Sequence, residues 1–342
     1  MKRIVAVFAV VLGILTLLGC ARFEKEYDGR YYNGENEVDT GKEKSTTVNV
    51  GAVKGEGSVG LVKLTQGSFS EYGKQENSYN IRFFDTDKDL INAFERGEVD
   101  IASLPLNRAS KLYNKNKNKA VCIAANSVCT MKLIENGSDV KSPKDVKGKT
   151  VYLSGKGNMT DAVSEILLEM TGVDDDNITV VYKDNETECV GALMKKKDSL
   201  ALVSEPFASM ALDENENIRV CLDLSQRQNM TNEDAFVTRV LVTNRNFLDD
   251  NNDAVNLFLD DFRYSCTFSK EKGEETVKLA LEKQAVPEDF DKKALEKCGN
   301  CCAVGEEMKT KVQSCLDIMY SYEDDLVGER LPNEDFYFLG VY

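Results

Sequence analysis

The chain carries two segments in which a β-rich run is followed by a glycine turn and then by a helical pattern. In the segment at residues 149–170, the run 150–153 precedes the turn 154–157, and apolar residues then recur at helical spacing. The segment at residues 47–64 repeats this order around the turn 54–58. Glycine lets the backbone turn sharply at the carboxyl end of a strand, and the following helix points its unpaired N–H groups back at the turn. Two such turns, one from each half of the chain, are predicted to face one small ligand.

The length of the chain and its lack of histidine limit its fold and its chemistry. A chain of 342 residues is longer than a single core usually fills, so we expect two lobes. The formal net charge of −15 argues against a nucleic acid partner, because phosphate-binding surfaces need clustered lysine and arginine. Without histidine, the usual general base, the Ser-His-Asp and Cys-His arrangements and nearly all catalytic zinc sites are excluded. We therefore predict no catalytic residues, no cofactor and no enzymatic activity.

The N-terminus has the features of an export signal. A basic pair precedes an apolar run at residues 4–18, which is short for a membrane span and suits a secretory signal core. The run ends in Leu17-Leu18-Gly19-Cys20, which resembles the lipobox of bacterial lipoproteins. That resemblance implies a signal peptide at residues 1–19 and acylation of Cys20, which anchors a protein to the membrane surface. The alternative is a plain signal anchor with an incidental cysteine.

The part of the chain that follows the signal divides into a polar tether and an α/β region. Residues 20–45 contain almost no aliphatic side chains and cannot bury enough surface to fold, so we predict a flexible tether. From residue 46 onward, strand-like runs and helical patterns alternate. This alternation predicts an α/β fold of two lobes, each a mainly parallel sheet flanked by helices.

The chain is expected to cross between the lobes through two hinge strands. The first crossing is predicted at the adjacent β-like runs 120–125 and 128–134, which Asn126 separates, and the second at residues 238–243. The resulting division is lobe 1 at residues 46–125 and 244–342, and lobe 2, including the hinge strands, at residues 126–243. Helical patterns after residue 253 carry two apolar stripes that we interpret as core faces, Val255, Phe258, Leu259, Phe262 and Cys266, and Met308, Val312, Cys315, Leu316 and Met319.

Several motifs, in this order along the chain, resemble those of one protein family. They are the lipobox, G-A-V-K-G-x-G-S-V-G-L-V-K-L, G-E-V-D-I-A-S-L-P, I-E-N-G, D-V-K-G-K-T-V-Y-L-S-G-K-G, S-E-P-F and E-R-L-P-N-E-D-F-Y. Together they are similar to the solute-binding lipoproteins of bacterial ABC importers, in the branch related to nitrate, sulfonate, taurine and thiamine-precursor binding. The resemblance covers the chain from Cys20 almost to Tyr342 and implies a type II periplasmic-binding-protein fold. It also implies a monomer that encloses a small-molecule solute and docks onto an ABC permease with its ATPase.

The resemblance also implies which residues line the ligand cleft, since open α/β sheets bind ligands at strand carboxyl ends and hinge closure buries them. Carried over by position, the ligand-binding residues are Val53, Lys54, Gly55, Glu56, Gly57, Ser58, Asn107, Asn126, Ser154, Gly155, Lys156, Gly157, Asn158, Met159, Thr160, Glu205, Phe207, Thr238 and Arg239.

The two turns depart from the pattern of the family and suggest the charge of the ligand. Relatives commonly have Gly-Pro-Thr in the first turn and Thr-Pro after the second, whereas this chain has acidic Glu56 and Asp161 close to the helix starts. A carboxylate at a helix N-terminus competes with an anion for the same helix dipole. We therefore expect a neutral or amine-bearing heterocycle or an amino-acid-like solute, and not nitrate or an alkyl sulfonate. The alternative is that both acids merely cap their own helices.

The S-E-P-F motif places an acid and an aromatic side chain at the end of a strand. Glu205 is expected to pair with a hydrogen-bond donor of the ligand, and Phe207 to stack on its ring. The alternative is that Phe207 belongs to the core and Glu205 caps a helix in solvent.

Cysteine usage leaves three alternatives open. The chain has ten cysteines, so acylation of Cys20 leaves an odd number. Cys298, Cys301, Cys302 and Cys315 lie close in sequence and are compatible with a metal site, a local disulfide or free thiols. We assign no metal. Unpaired thiols on an exported protein suit an anaerobic bacterium, and we expect the protein on the outer face of the cytoplasmic membrane of a Gram-positive cell.

Two other functions fit the same pattern. One is an enzyme related to thiamine-precursor synthesis, although the fungal enzymes of that kind use a histidine of the protein itself, and this chain has none. The other is a sensor or adhesin of the same fold that works without an importer.

Overall fold

Two mixed sheets form the framework of the protein. The structure is a computed structural model that describes residues 45–55, 57–69, 77–115, 120–164, 177–225 and 236–340. These residues belong to one compact unit, Glu43–Tyr342. The predicted signal peptide, Cys20 and most of the predicted tether lie outside the described residues.

The first sheet has six strands in the order β11-β4-β10-β3-β1-β2. Its strands are β1 (Thr46–Val53), β2 (Asn77–Phe84), β3 (Ile101–Pro105), β4 (Ala120–Val128), β10 (Val237–Asn244) and β11 (Asn300–Ala303). Strand β3 is buried along its whole length, as expected of a short apolar run near the middle of a sheet.

The second sheet has five strands in the order β7-β6-β8-β5-β9. Its strands are β5 (Lys132–Asn136), β6 (Thr150–Ser154), β7 (Thr179–Lys183), β8 (Ser199–Val203) and β9 (Ile218–Asp223). Strand β8 is the fully buried one, and β7 forms an edge with mostly exposed side chains.

The expected mainly parallel pairing holds for only part of each sheet. Strand β1 pairs in parallel with β2 and β3, and β6 with β7 and β8. All other pairs are antiparallel, namely β3 with β10, β10 with β4, β4 with β11, β8 with β5 and β5 with β9. Strands joined through a helix return in the same direction, whereas the strands near the crossings enter their sheets in the opposite direction.

Helices cover the sheets, and their bounds follow capping residues and apolar periodicity. The α-helices are α1 (Asp87–Glu95), α2 (Leu106–Lys115), α3 (Glu186–Lys195), α4 (Phe207–Glu214), α5 (Arg245–Asp250), α6 (Asn252–Glu271), α7 (Gly273–Glu282), α8 (Lys292–Lys297) and α9 (Gly305–Tyr322). Residues Val59–Gln66, Pro143–Val146, Asp324–Val327 and Glu334–Phe336 form 3-10 helices. A further helical segment begins at Met159. Helix α1 starts at Thr86, whose side chain accepts a hydrogen bond from the backbone N–H of Asp89.

Both faces of the first sheet are packed by helices. Alternate residues of the strands separate into two clusters: Ile101 and Leu241 pack with Phe258 of α6, whereas Ala102 and Val242 join the cluster that contains α1, α2 and α9. The two apolar stripes predicted after residue 253 are buried, which confirms them as core faces.

The crossings between the sheets differ in detail from the expected boundaries. Strand β4 continues through Asn126 to Val128 as one strand of the first sheet, and β5 begins only at Lys132. Strand β10, expected with the second lobe, pairs along its length with β3 and β4 of the first sheet. The reason is that hydrogen bonding to two neighbours holds β10 in the first sheet until the chain reaches α5.

Among the residues that the structure describes, no helix is long and apolar enough to cross a membrane.

A buried carboxylate fastens the segment after the first glycine turn to α6. Asp261, which is 3% exposed, accepts hydrogen bonds from the Ser68 hydroxyl at 2.8 Å, the Phe69 N–H at 3.0 Å and the Tyr79 hydroxyl at 2.5 Å. Burial, with the carboxylate of Asp261 beside it, raises the pKa of Tyr79 well above its usual range. Tyr79 therefore remains a neutral hydrogen-bond donor at pH values at which an exposed tyrosine begins to lose its proton.

We predict that Asp261→Ala lowers the free energy of unfolding by about 2–4 kcal/mol, because three donors lose a charged acceptor. The matched control is Asp260→Ala on the same helix, where the side chain is 55% exposed and lies 3.8 Å from Arg263. An exposed pair of this kind contributes less than about 1 kcal/mol. Urea denaturation of both variants measures the difference, and equal losses would contradict the assigned role of Asp261.

Candidate functional site

A cavity of about 110 Å³ lies between the carboxyl ends of strands from both sheets. From the first sheet it is lined by Val53, Lys54, Asp85, Thr86, Asp87, Pro105 and Arg239. From the second sheet and its loops it is lined by Met131, Ser154, Asn158, Met159, Thr160, Asp184, Asn185, Glu186, Thr187, Ser204 and Phe207. Strand ends of open α/β sheets are where such proteins bind ligands.

The first glycine turn is held by the protein itself. Gly55 and Gly57 have φ values of +95° and +81°, which L side chains rarely adopt. The Ser58 hydroxyl donates to the carbonyls of Gly55 at 2.7 Å and Ala285 at 2.9 Å. Ser58 is completely buried, so its hydroxyl stabilises the turn and does not face the cavity. Glu56, which was expected to influence the charge of the ligand, lies outside the described residues.

Asn126 connects the first turn to the sheet behind it. Its Nδ2 donates to the Gly57 carbonyl at 3.0 Å and to the Ser103 hydroxyl at 2.9 Å. A Cβ on Gly57 would lie 2.8 Å from Ser103 Oγ and 3.0 Å from both Arg239 Cδ and Asn126 Nδ2. The turn is therefore packed so closely that only glycine fits at residue 57.

The second glycine turn is closed by its own helix. The carboxylate of Asp161 accepts from the Gly157 N–H at 2.7 Å and from the Tyr182 hydroxyl at 2.6 Å. Asp161 is 6% exposed and does not line the cavity. Asp161 thus bonds the backbone at the start of its own helix, as the capping alternative describes, and the expectation that its carboxylate disfavours an anionic ligand stays a prediction. Thr160 likewise donates to the Ser154 carbonyl at 2.7 Å, although it also lines the cavity.

The two turns contact the opposite wall of the cleft. Asn107 Nδ2, on α2 of the first sheet, donates to the Gly157 carbonyl of the second turn at 2.9 Å. Phe207, at the start of α4, packs over the first turn, where a Cβ on Gly55 would lie 2.8 Å from its ring. The predicted arrangement of two glycine turns facing one gap is therefore present.

Both cations among the described lining residues are paired with carboxylates. Arg239 Nη2 donates to Asp87 Oδ1 at 2.5 Å, and Lys54 Nζ to Asp85 Oδ1 at 2.6 Å. Glu186 accepts from the Ser204 N–H at 2.6 Å. Together with Asp184, the lining has more carboxylates than cations among the described residues, and each cation has a carboxylate partner.

The structure brings some of the residues expected in the ligand cleft to the cavity and leaves the others out of its lining. Those that line the cavity are Val53, Lys54, Ser154, Asn158, Met159, Thr160, Phe207 and Arg239. Those that do not are Gly55, Gly57, Ser58, Asn107, Asn126, Gly155, Lys156, Gly157, Glu205 and Thr238. Thr238 is completely buried within β10, and Lys156 is exposed.

Glu205 is the clearest correction among these residues. Its side chain is 2% exposed and forms an ion pair of 2.6 Å with Lys132, and its second oxygen accepts from the Ser209 N–H at 3.0 Å. A carboxylate that is already buried and paired in this way is not available to a donor of the ligand. Its neighbour Phe207 is 6% exposed and belongs to a core cluster of the second sheet, as the alternative describes. Phe207 also lines the cavity, and its stacking on a ring of the ligand stays a prediction.

Sequence reasoning missed two polar runs of the lining, 85–87 and 184–187. Both runs directly follow strands, β2 and β7, that pair in parallel with the strands leading into the glycine turns. Since the carboxyl ends of parallel neighbours meet at one edge of a sheet, such a run after the next strand is the signal that could have found them. Met131, Pro105 and Ser204 carry no comparable signal.

The cysteines do not form a metal site or a disulfide in the part of the chain that the structure describes. All cysteines from Cys122 onward are free thiols, and no group of three or more Cys, Asp or Glu side chains among the described residues is placed to hold a metal ion. Of the three alternatives, free thiols are the one present. The neighbouring thiol of Cys266 holds the pKa of Cys302 below its ordinary value against the opposing effect of burial, and the cations Arg263 and Lys270 lower it further.

Comparison with known proteins supports this two-sheet arrangement. Residues 88–276 match the family model described as NMT1/THI5 like. An ABC transporter structure from Parabacteroides distasonis aligns with a TM-score of 0.69 and 23% identity over 86% of this chain and 99% of that chain. The periplasmic aliphatic sulphonate binding protein SsuA from Escherichia coli aligns with a TM-score of 0.66 and 17% identity over 84% and 96% of the two chains.

A third structure extends the likeness beyond bacteria. A Candida albicans gene product that exhibits the generic periplasmic binding protein structural fold aligns with a TM-score of 0.64 and 15% identity over 86% of this chain and 96% of that chain. No curated protein matches the chain significantly in sequence. The chain thus has the two-lobed periplasmic-binding-protein fold.

We predict that Gly57→Ala lowers the free energy of unfolding by about 2–4 kcal/mol, because it combines an unfavourable φ with crowding against Ser103 and Asn126. Gly97→Ala is the matched control: Gly97 has a φ of +73°, and a Cβ there meets nothing within 4 Å. The free energy of unfolding of this control falls only by the cost of the unfavourable φ, about 1 kcal/mol. Thermal or urea unfolding measures both, and a Gly57 variant no worse than the control would contradict the packing argument.

We predict that Cys302 reacts faster with iodoacetamide than Cys122 near neutral pH. A lowered pKa increases the thiolate fraction, and the thiolate is the reacting species. The control is Cys122, whose pKa burial raises well above its usual range. Mass spectrometry of peptides from the briefly labelled folded protein identifies the modified residue. Labelling of Cys122 before Cys302 would contradict the assignment.

Proposed function

The chain belongs to the NMT1/THI5-like family, and from this premise we propose that it is an extracytoplasmic solute-binding protein. In this proposal it encloses one small molecule between its two lobes and delivers it to an ABC permease and its ATPase. The observation that carries the proposal is the cavity at the strand ends of both sheets, over which the two glycine turns meet the opposite wall. A ligand bound in such a cleft contacts both lobes, and these contacts favour closure of the hinge around it.

The lining favours binding over catalysis. Among the described lining residues there is no cysteine, and the chain has no histidine, so the usual nucleophile and base pairs do not occur there. The carboxylates of Asp85 and Asp87 are paired with cations, as expected of groups that shape a binding site. We therefore propose a receptor and not an enzyme.

The ligand is proposed to be neutral or amine-bearing. Besides the acids near the two helix starts, four carboxylate side chains support this proposal, because Asp85, Asp87, Asp184 and Glu186 line the cavity against the cations Lys54 and Arg239. The apolar part of the lining provides surface for a ring or a short aliphatic body and consists of Val53, Pro105, Met131, Met159 and Phe207. Amine-bearing heterocycles, including thiamine precursors, combine these properties.

The proposed location rests on the N-terminal sequence. Residues 1–19 would be removed as a signal peptide, Cys20 would carry the lipid, and residues 20–45 would tether the binding unit to the outer face of the cytoplasmic membrane. A single compact unit that contains both sheets suits a monomeric receptor. The number of free thiols is compatible with a Gram-positive bacterium of anaerobic habitat.

A thermal-shift screen of residues 21–342 tests this proposal, since a ligand that binds the native state raises its melting temperature. We expect stabilisation by amines or aminopyrimidines and none by nitrate or taurine. Calorimetric titration then measures the affinity of each stabilising compound. Tight binding of taurine or nitrate would overturn the proposed ligand class.

Phe207→Ala is expected to weaken the binding of such a compound about tenfold, because an aromatic wall contributes contact area and ring stacking. The control is Tyr320→Ala on α9, where the ring is 41% exposed and does not line the cavity. Equal affinities of the two variants would exclude Phe207 from the site.

A further inference from the structure

Two asparagines join the walls of the cleft through their side-chain amides. Asn158, in the second glycine turn, donates from Nδ2 to Oδ2 of Asp87, the first residue of α1, at 3.0 Å. Asn107, on α2, donates from Nδ2 to the carbonyl of Gly157 at 2.9 Å. Neighbouring residues of the second turn are therefore bonded to two different helices that pack on the first sheet.

The groups on the first sheet that make these bonds are shielded from water. Asn107 is 1% exposed, and the Asp87 side chain is 12% exposed. The second carboxylate oxygen of Asp87, Oδ1, accepts from Arg239 Nη2 at 2.5 Å, which fixes the orientation of the carboxylate. A carboxylate is a stronger acceptor than a neutral carbonyl, and water competes little at a buried group. Each bond between the walls is therefore expected to contribute measurable free energy.

Gly155 makes room for the bond of Asn158. Its φ is +63°, and a Cβ there would lie 2.3 Å from Asn158 Nδ2 and 3.0 Å from Asn158 Cγ. The Asn158 N–H donates to the Gly155 carbonyl at 2.9 Å, so the side chain of Asn158 passes over the first glycine of its own turn. A side chain at residue 155 would displace the amide of Asn158 from its position beside Asp87.

A further bond between the two halves of the protein differs in its exposure. Lys297 lies on α8, which packs on the segment after the first glycine turn, and its Nζ donates to Ser209 Oγ on α4 at 2.7 Å. Lys297 is exposed, and such bonds contribute little because water offers both groups similar partners. This pair therefore provides a matched control for the buried bonds.

We propose that Asn107 and Asn158 form a latch, which holds the two halves of the protein together whether or not a solute is bound. Opening at the hinge separates the walls and breaks both bonds, so each bond stabilises the closed form alone. The apparent affinity for a solute scales with the closed fraction of the protein, so the latch raises the affinity for any solute that the closed form binds. The inference deepens the proposed function and rests on it in assuming that the two halves open and close.

The test measures the distance between the two halves by double electron–electron resonance, in the full chain in detergent. Spin labels are attached to non-canonical amino acids at Glu95 and Lys195, so that the native cysteines stay unlabelled. These positions are the exposed last residues of α1 and α3, two helices that begin at the cleft and belong to different sheets. The closed form has the distance of this structure, and other distances report open forms.

Asn158→Ala is expected to lower the ratio of closed to open protein about tenfold, the effect of losing a hydrogen bond to a carboxylate. Lys297→Ala is expected to lower it by no more than about twofold. If the wild type shows the closed distance alone, the double variant Asn107→Ala/Asn158→Ala, which removes both bonds, makes the comparison. A wild type without closed protein, a variant series without any opening, or equal opening in Lys297→Ala overturns the latch.

Gly155→Ala tests the same bond without removing Asn158. The added Cβ displaces the amide, so this variant is expected to open about as much as Asn158→Ala, and it replaces that variant if Asn158→Ala does not fold. Gly148→Ala is the matched control: Gly148 has a φ of +77°, and a Cβ there meets nothing within 4 Å. Equal closed fractions in the two glycine variants would contradict the role of Asn158.

The outcomes separate this inference from the proposed function, because the distance measurement needs no solute. If amines bind to the wild type and the Asn158 and Gly155 variants stay as closed as the wild type, the receptor function stands and the latch fails. If these variants open as expected while no compound of the thermal-shift screen binds, the latch stands and the proposed solute class fails.

Discussion

Backbone turns that only glycine adopts without strain decide where both sheets end and where the cleft begins. The φ values of Gly57 and Gly157 are +81° and +77°, so β1 and β6 stop abruptly and their following helical segments start at once. Each turn is held by a buried polar side chain, Asn126 in the first case and Asp161 in the second. Since these groups are occupied by the backbone, they build the walls of the cleft and leave ligand contact to the residues around them.

Local patterns in the sequence were sufficient to predict the strands, the helices and the two glycine turns. The run before Gly155 and the apolar stripes that contain Phe258 and Met308 are all set by neighbours a few residues away, and each element occurs where its pattern predicts it. The orientation of single polar side chains was not predictable in this way. Glu205 turns away from the cavity toward Lys132, 73 positions distant, and Ser58 binds the carbonyl of Ala285, 227 positions distant.

The same difference between local and distant partners explains which strand pairings could be predicted from the sequence. Parallel pairing of β1, β2 and β3 follows from the alternation of strands and helices along the chain. Strand β10 lies between β3 and β4, which are far from it in sequence. No periodic pattern in the sequence predicts this position of β10. The charged runs after β2 and β7 could have been found from this predictable parallel pairing, which places them beside the glycine turns.

The two strands through which the chain passes between the sheets, β4 and β10, lie side by side in the first sheet. At their ends, the N–H of Cys129 donates to the carbonyl of Phe236 at 2.7 Å, and β5 begins at Lys132. Hydrogen bonds along this pair prevent one strand from sliding past the other, but a few backbone dihedral angles beyond it can change. The pair therefore joins both crossings by backbone hydrogen bonds, so that the two chain segments leading to the second sheet leave the first sheet side by side.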